Sequence, residues 1–190
     1  KLPAEVERDK SFYYDKNVVL LIRDPKDVVV SLYYQKAFRR RGRRRSFTGT
    51  LSEFIRAPGG IRTVVEFYNV WAREHTNVAS FLALYYEDLR ADAHRETRRF
   101  LDFLKLESIT DACIDEAVER SSFDKMKQME SDGDAHISRI GKRRRSDERG
   151  QKVRRGKIGG YRDELQPDDV AYVDRIVREH LDPFYARYTR

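Results

Sequence analysis

The stretch Asn17-Val18-Val19-Leu20-Leu21-Ile22-Arg23-Asp24-Pro25-Lys26-Asp27-Val28-Val29-Val30-Ser31 decides how the chain folds. Asn17 to Arg23 is a continuous β-branched and apolar run, the pattern of a strand buried on both faces. Asp24-Pro25-Lys26-Asp27 then reads as a helix start. Asp24 is the N-cap, Pro25 takes the first helical position, and Asp27 places a negative charge at the positive end of the helix dipole. Val28, Val29 and Val30 are poor helix formers, so a second strand competes for them. The length ahead of the arginine run leaves room for a helix to about Phe38. A strand end that runs into a helix N-terminus is where α/β proteins bind phosphates, because free backbone N–H groups and the dipole point there. Arg23 stands at that edge with a forked, permanently charged guanidinium suited to a phosphate. Asp24, Asp27 and Ser31 fall on one helix face. Taken bare, an arginine at a strand end is more often a surface ion pair and a helical serine more often filler.

Outward from this stretch, Thr50 to Ala57 reads as a short helix closed by Pro58-Gly59-Gly60. Ile61 to His75 is a stronger one, with Ile61, Val64, Val65, Tyr68, Trp71 and Ala72 on one 3.6-residue face. Val78 to Tyr86 predicts a second buried strand. Asp88 to Leu104 predicts a helix with Ala93, Thr97, Phe100, Leu101 and Leu104 inside, and Ile109 to Arg120 another. Asp132 to Lys157 is polar, basic and without period, a mobile loop inside what reads as a single domain over residues 1–190. Gln166 to Leu181 predicts a final amphipathic helix with Val170, Val173, Val177 and Leu181 buried. Strands followed by helices imply parallel pairing in an α/β sandwich. Two strands are few for a free-standing sheet, so part of the sheet is expected outside these residues. No internal repeat occurs.

The 190 residues carry a net charge of +7, unevenly spread. Lys36 to Arg45 holds seven basic residues and no acid, and Arg139 to Lys157 ten basic and two acidic, which leaves −8 for everything else. Such segments are by default solvated, and otherwise collect a polyanion: nucleic acid, an anionic membrane, or a multiply phosphorylated small molecule. With 12% aromatic residues the chain is too rich in core formers for disorder. A domain of this length buries roughly 70% of its unfolded surface. The longest aliphatic run, Val18 to Ile22, is far short of the ~18 residues a membrane helix requires. A single cysteine, Cys113, excludes an intrachain disulfide framework, reads as a small buried hydrophobe, and fits a reducing, cytoplasmic setting. The start of the chain has no signal-peptide pattern. It also lacks an initiator Met, which fits a beginning inside a longer protein. His75, His94, His136 and His180 have no ligand spacing with one another or with Cys113, so no metal is expected.

Four ordered stretches carry a family resemblance. Val19 to Tyr34 is similar to the 3′-phosphate-binding motif of the cytosolic-type sulfotransferases. Leu84-Tyr85-Tyr86-Glu87-Asp88-Leu89 is similar to that family's strand ending in Tyr-Glu-Asp. Ser121-Ser122-Phe123-Asp124-Lys125-Met126-Lys127 is similar to its Ser-Phe-x-x-Met-Lys turn. Arg154-Arg155-Gly156-Lys157-Ile158-Gly159-Gly160-Tyr161-Arg162 is similar to its Arg-Lys-Gly-x-x-Gly-Asp-Trp-Lys loop. The resemblance implies a three-layer α/β sandwich with a central parallel sheet, the P-loop-NTPase-like sulfotransferase fold, present here in part. It implies sulfuryl transfer from 3′-phosphoadenosine-5′-phosphosulfate (PAPS) to a small-molecule alcohol, phenol or amine, with no metal and no specific nucleic acid. By the same resemblance Arg23, Ser31, Arg154, Arg155 and Gly156 bind the 3′-phosphate. Tyr86, Ser121, Phe123 and Met126 line the adenine site. Glycine beside arginine in one loop suits this, since glycine lets a backbone N–H approach a phosphate while arginine supplies charge.

The departures are equally specific. No Gly-rich Lys-Ser/Thr element, the family's phosphosulfate loop with its catalytic Lys, occurs in these residues. The family's catalytic His precedes a Leu-Pro dipeptide, and here Lys1 precedes Leu2-Pro3, so the base is expected upstream of Lys1 or replaced by it. The 190 residues alone are therefore expected to be inactive. Gly160 and Tyr161 replace Asp and Trp. Gln166-Pro167 stands where the family's dimer motif has Thr-Val, so that dimer mode does not carry over. Tyr33 and Tyr34 suit either an acceptor wall or packing. The alternative function is a basic nucleotide- or nucleic-acid-binding module without catalysis, which accounts for the charge but not for the ordered motifs. A Golgi carbohydrate sulfotransferase shares the Arg…Ser element, but the Arg-Arg-Gly loop argues against it.

Overall fold

β1 (Asn17–Ile22) forms where the apolar run predicts and pairs with β2 (Ser80–Tyr85) in a two-stranded parallel sheet. The structure, a computed structural model, describes residues 6–39, 47–122, 125 and 156–190. Contacts gather these into two compact units, Lys1–Ala83 with Ile158–Arg190, and Leu84–Lys157.

In the first unit, the side chain of Asp24 accepts from the backbone N–H of Lys26 and starts α1 (Pro25–Tyr34), as the Asp-Pro pair predicts. The helix continues as a π-helical turn over Gln35–Arg39. Helix, not strand, wins the three valines because Val29 and Val30 are fully buried there. Burying a valine contributes about 1.5–3 kcal/mol, against a propensity cost below ~1 kcal/mol per residue. A reciprocal capping box between Thr50 and Glu53 starts α2 (Leu51–Arg56). α3 (Ile61–Glu74) buries Ile61, Val64, Val65, Tyr68 and Trp71 as expected, and Val70 besides. The structure buries Val173, Ile176 and Val177 on a helix spanning Pro167–His180, and Leu181 at its C-cap, but leaves Val170 half-buried.

Two expectations fail in β1 and β2. Leu21 is 57% exposed, and β2 is half-buried along most of its length. The described elements pack mainly on the Leu20 and Ile22 side of β1, while on its other side Val19 is half-buried and Leu21 exposed.

The second unit corrects a third. The predicted helix Asp88–Leu104 is two helices, α4 (Tyr86–Ala91) and α5 (Ala93–Phe103), broken at Asp92. Asp92 sits at φ −149° and ψ 82°, and its side chain accepts from Arg95 N–H, 2.9 Å. Aspartate competes in this way with the helical backbone. On α5 the fully buried side chain is Glu96, satisfied by Arg95 and Arg99, while the expected apolar stripe is half-buried and Leu104 exposed. α6 (Asp111–Arg120) is capped by Thr110 and buries Ile114. Cys113 is exposed, not buried, because Ile114 alone on that helix turns inward. The helix near the C-terminus becomes α7 (Pro167–His180). No helix among the described residues is long and apolar enough to cross a membrane.

Gly60 is the tightest backbone approach in the first unit. A Cβ there meets the Phe54 carbonyl oxygen at 2.2 Å and the Ile55 carbonyl oxygen at 2.6 Å, both rigid main chain. Gly60→Ala is expected to destabilise the chain by about 1–3 kcal/mol in chemical denaturation. A change indistinguishable from zero would mean that the α2–α3 corner moves without cost.

Candidate functional site

Arg23 follows the last residue of β1 and is held twice. Its main chain is gripped by the Tyr68 phenol, which donates to the Arg23 carbonyl at 2.8 Å and accepts from the Arg23 N–H at 3.2 Å. Tyr68 is itself fixed, since the Tyr185 hydroxyl donates to its carbonyl at 3.0 Å and the two rings stack at 5.1 Å. The guanidinium of Arg23 donates to Asp27 Oδ2 at 3.1 Å, one helical turn on, and remains 26% exposed. A permanent cation anchored at its base and part-exposed suits an anion. Ser31 lies a further turn along α1 and is exposed.

Asp27 is the residue that the sequence undervalued. Its side chain is 2% exposed. Besides Arg23 it accepts from two backbone amides more than 130 positions away: Gly159 N–H to Oδ2 and Tyr161 N–H to Oδ1, each 2.9 Å. Gly159 is at φ +71°, a left-handed conformation that L side chains rarely adopt, and this turn brings both amides onto one carboxylate. A buried carboxylate needs such donors, because unpaired it is far too costly to bury. First-turn acid was the one signal in the sequence, and it named the helix dipole as partner, not a distant loop.

Next to it, Lys26 is also buried. Its Nζ lies 3.1 Å from Asp174 on α7, 3.7 Å from Asp24, and 5.1 Å from the centre of the Tyr161 ring. Burial pulls the ammonium pKa down, but Asp24 and Asp174 outweigh it and the group titrates above its ordinary 10.5. Burial likewise raises the Tyr161 phenol, with Lys26 and Arg162 pulling the other way. A groove of about 500 Å³ lined by Arg162, Leu165, Pro167, Val170, Ala171 and Asp174 shares Asp174 with this network, but none of the expected nucleotide residues.

In the second unit, Tyr86 opens α4, not the end of β2 as expected, and its hydroxyl donates to the Gly156 carbonyl at 3.1 Å. One residue of the expected adenine site thus touches one of the expected phosphate loop. Ser121 is the exposed C-cap of α6, its hydroxyl donating to Val118 at 3.3 Å. Phe123, Met126, Arg154 and Arg155 lie outside the described residues, as does 132–157 apart from Gly156 and Lys157. Tyr33 and Tyr34 pack: Tyr33 meets Phe54 at 5.7 Å and Phe47 at 6.2 Å, and the Tyr34 hydroxyl donates to Glu164 at 2.7 Å.

Comparison with known proteins gives one answer. The chain matches the sulfotransferase domain family over residues 2–184. It is 26% identical over 186 residues to sulfotransferase 2A1 of Rattus norvegicus, a match covering 96% of this chain and 63% of that protein. Against sulfotransferase 2A6 of Mus musculus it is 34% identical over 123 residues, 63% of this chain and 42% of that one. The chain spans about half the length of the curated relatives it matches. Its fold matches a mouse sulfotransferase complexed with PAP at a TM-score of 0.66 and 19% identity, covering 86% of this chain and 57% of that chain.

The Lys26 network makes a pH-dependent contribution with a definite sign. A folded-state pKa above the unfolded one means that the stabilisation is fully present below the ordinary lysine range and is lost as pH rises through the folded value. Lys26→Met is expected to be less stable than the parent by about 1–3 kcal/mol at neutral pH. The gap should narrow once pH passes 10.5. Denaturant titrations across pH measure this, and a gap that stays constant would assign the effect to packing.

Proposed function

Because this chain belongs to the sulfotransferase domain family, we propose that it provides the 3′-phosphate and adenine part of a PAPS site. In that reaction an acceptor oxygen or nitrogen forms a bond to sulfur, the bond from sulfur to the 5′-phosphate breaks, and the acceptor loses a proton. Adenosine 3′,5′-bisphosphate leaves.

The observation that carries this reading is Arg23, locked at main chain and guanidinium and still part-exposed beside α1. An anchored guanidinium loses little freedom on meeting a phosphate, and charge-assisted hydrogen bonds are the strong ones. Ser31 adds a hydroxyl two turns beyond Arg23, and Arg154, Arg155 and the Gly156 backbone complete the phosphate contacts. Tyr86, Ser121, Phe123 and Met126 take the adenine, and the hydrogen bond from the Tyr86 hydroxyl to the Gly156 carbonyl supports a place for Tyr86 beside that glycine. The acceptor is a small alcohol, phenol or amine, and the setting cytoplasmic. No Gly-rich Lys-Ser/Thr element, the family's grip on the 5′-phosphosulfate, occurs among these 190 residues, so no residue here is assigned that grip, and the base stays open between Lys1 and a residue upstream of it.

Arg23→Ala is expected to weaken adenosine 3′,5′-bisphosphate by about 1.5–3 kcal/mol, roughly 10- to 150-fold. Adenosine 5′-phosphate, which lacks the group Arg23 meets, should be nearly unaffected. Titration calorimetry with both ligands decides it: equal losses would remove Arg23 from the 3′-phosphate site. Binding of random oligonucleotides in place of the bisphosphate, with a steep salt dependence, would favour a nucleic-acid module instead.

A further inference from the structure

Arg23 reaches its place through a carboxylate that a phosphate site would ordinarily avoid. Asp27 is negative, buried, and in direct contact with the cation meant for a phosphate. By charge alone it weakens phosphate binding, since it repels the ligand and partly neutralises the guanidinium. Its geometry gives the compensating role. Oδ2 accepts from the Arg23 guanidinium at 3.1 Å and from Gly159 N–H at 2.9 Å, and Oδ1 accepts from Tyr161 N–H at 2.9 Å. One carboxylate therefore fixes the cation at the β1 edge and the backbone that follows the Arg154-Arg155-Gly156 segment.

We infer that Asp27 is the positioning residue of the 3′-phosphate site, holding Arg23 and the Gly159–Tyr161 backbone in a shared register. Selectivity for a 3′-phosphate then belongs to the Asp27–Arg23 pair and not to Arg23 alone. This rests on the proposed pairing of Arg23 with the 3′-phosphate. A guanidinium is a rigid planar fork, so the contact of one nitrogen with Asp27 fixes the orientation of the whole group. An arginine without that anchor keeps its charge but must freeze several rotors on binding.

Three readings of Asp27 predict different outcomes. Positioning predicts that Asp27→Asn loses the 3′-phosphate contact selectively. Charge alone predicts tighter binding of the bisphosphate. A purely structural carboxylate predicts equal losses for every nucleotide. The experiment is calorimetric titration of the full chain with adenosine 3′,5′-bisphosphate and adenosine 5′-phosphate, using Arg23→Ala, Asp27→Asn and the double variant. Asp27→Asn is expected to weaken the bisphosphate about tenfold and the monophosphate less than about twofold, and the double variant should be no weaker than Arg23→Ala, since residues acting as one unit are not additive. Tighter bisphosphate binding, equal losses, or an additive double variant would overturn the proposal while leaving Arg23 in its site. A loss in Arg23→Ala that is the same for both ligands would instead overturn the underlying reading, and this inference with it. Should Asp27→Asn not fold by circular dichroism, Asp27→Glu keeps the charge and displaces the carboxylate by one methylene. It is expected to show the same selectivity at about threefold, and equal losses there would overturn the proposal as well.

Discussion

A buried negative charge must be answered by donors, and in this chain the donors to Asp27 come from both ends of the sequence. Arg23 supplies one from the edge of β1, and Gly159 and Tyr161 supply two from a turn more than 130 residues later. Each end is further committed by its own packing. Tyr161 is buried and lies under the Lys26 ammonium, which pairs with Asp174 on α7. Arg23 is tied through Tyr68 to Tyr185 near the C-terminus. The start of α1 thus holds together segments that chain connectivity leaves far apart. Uncompensating any one of these buried charges is strongly destabilising.

The same arrangement relates fold to function. A strand edge followed by a helix N-terminus offers an anion dipoles and amides, but orientation comes from side chains fixed before the ligand arrives. Here Arg23 is held at its main chain by Tyr68 and at its guanidinium by Asp27, and the Gly159 and Tyr161 amides are held by the same carboxylate. Family membership and the shared fold place this geometry among proteins one of which is described with PAP bound.

Local patterns made the elements legible. The Asp24-Pro25 pair announced the start of α1, and Ile61, Val64, Val65, Tyr68 and Trp71 announced the inner face of α3. Tertiary burial settled what pattern left open: Val28 to Val30 are helical because Val29 and Val30 enter the core. Local competition settled the reverse case at Asp92, whose side chain breaks a helix that periodicity ran straight through. The position of Arg23 at the strand edge was readable from the apolar run that ends there and the roles expected of Arg23 and Ser31 from the family resemblance, whereas Asp27's partners were readable from neither. No local rule links an aspartate to two backbone amides across more than 130 residues, and backbone donors leave no residue type to notice. Glu96 is a similar case, a charge inside an apolar stripe that only its two arginines explain.

The most direct measurement is a crystal structure of the full chain with adenosine 3′,5′-bisphosphate. The account requires 3′-phosphate oxygens at hydrogen-bond distance, about 2.7–3.2 Å, from the Arg23 guanidinium and the Ser31 hydroxyl, with Asp27 still holding Arg23, Gly159 and Tyr161. A 3′-phosphate bound away from Arg23, or an Arg23 that must leave Asp27 to reach it, would contradict it.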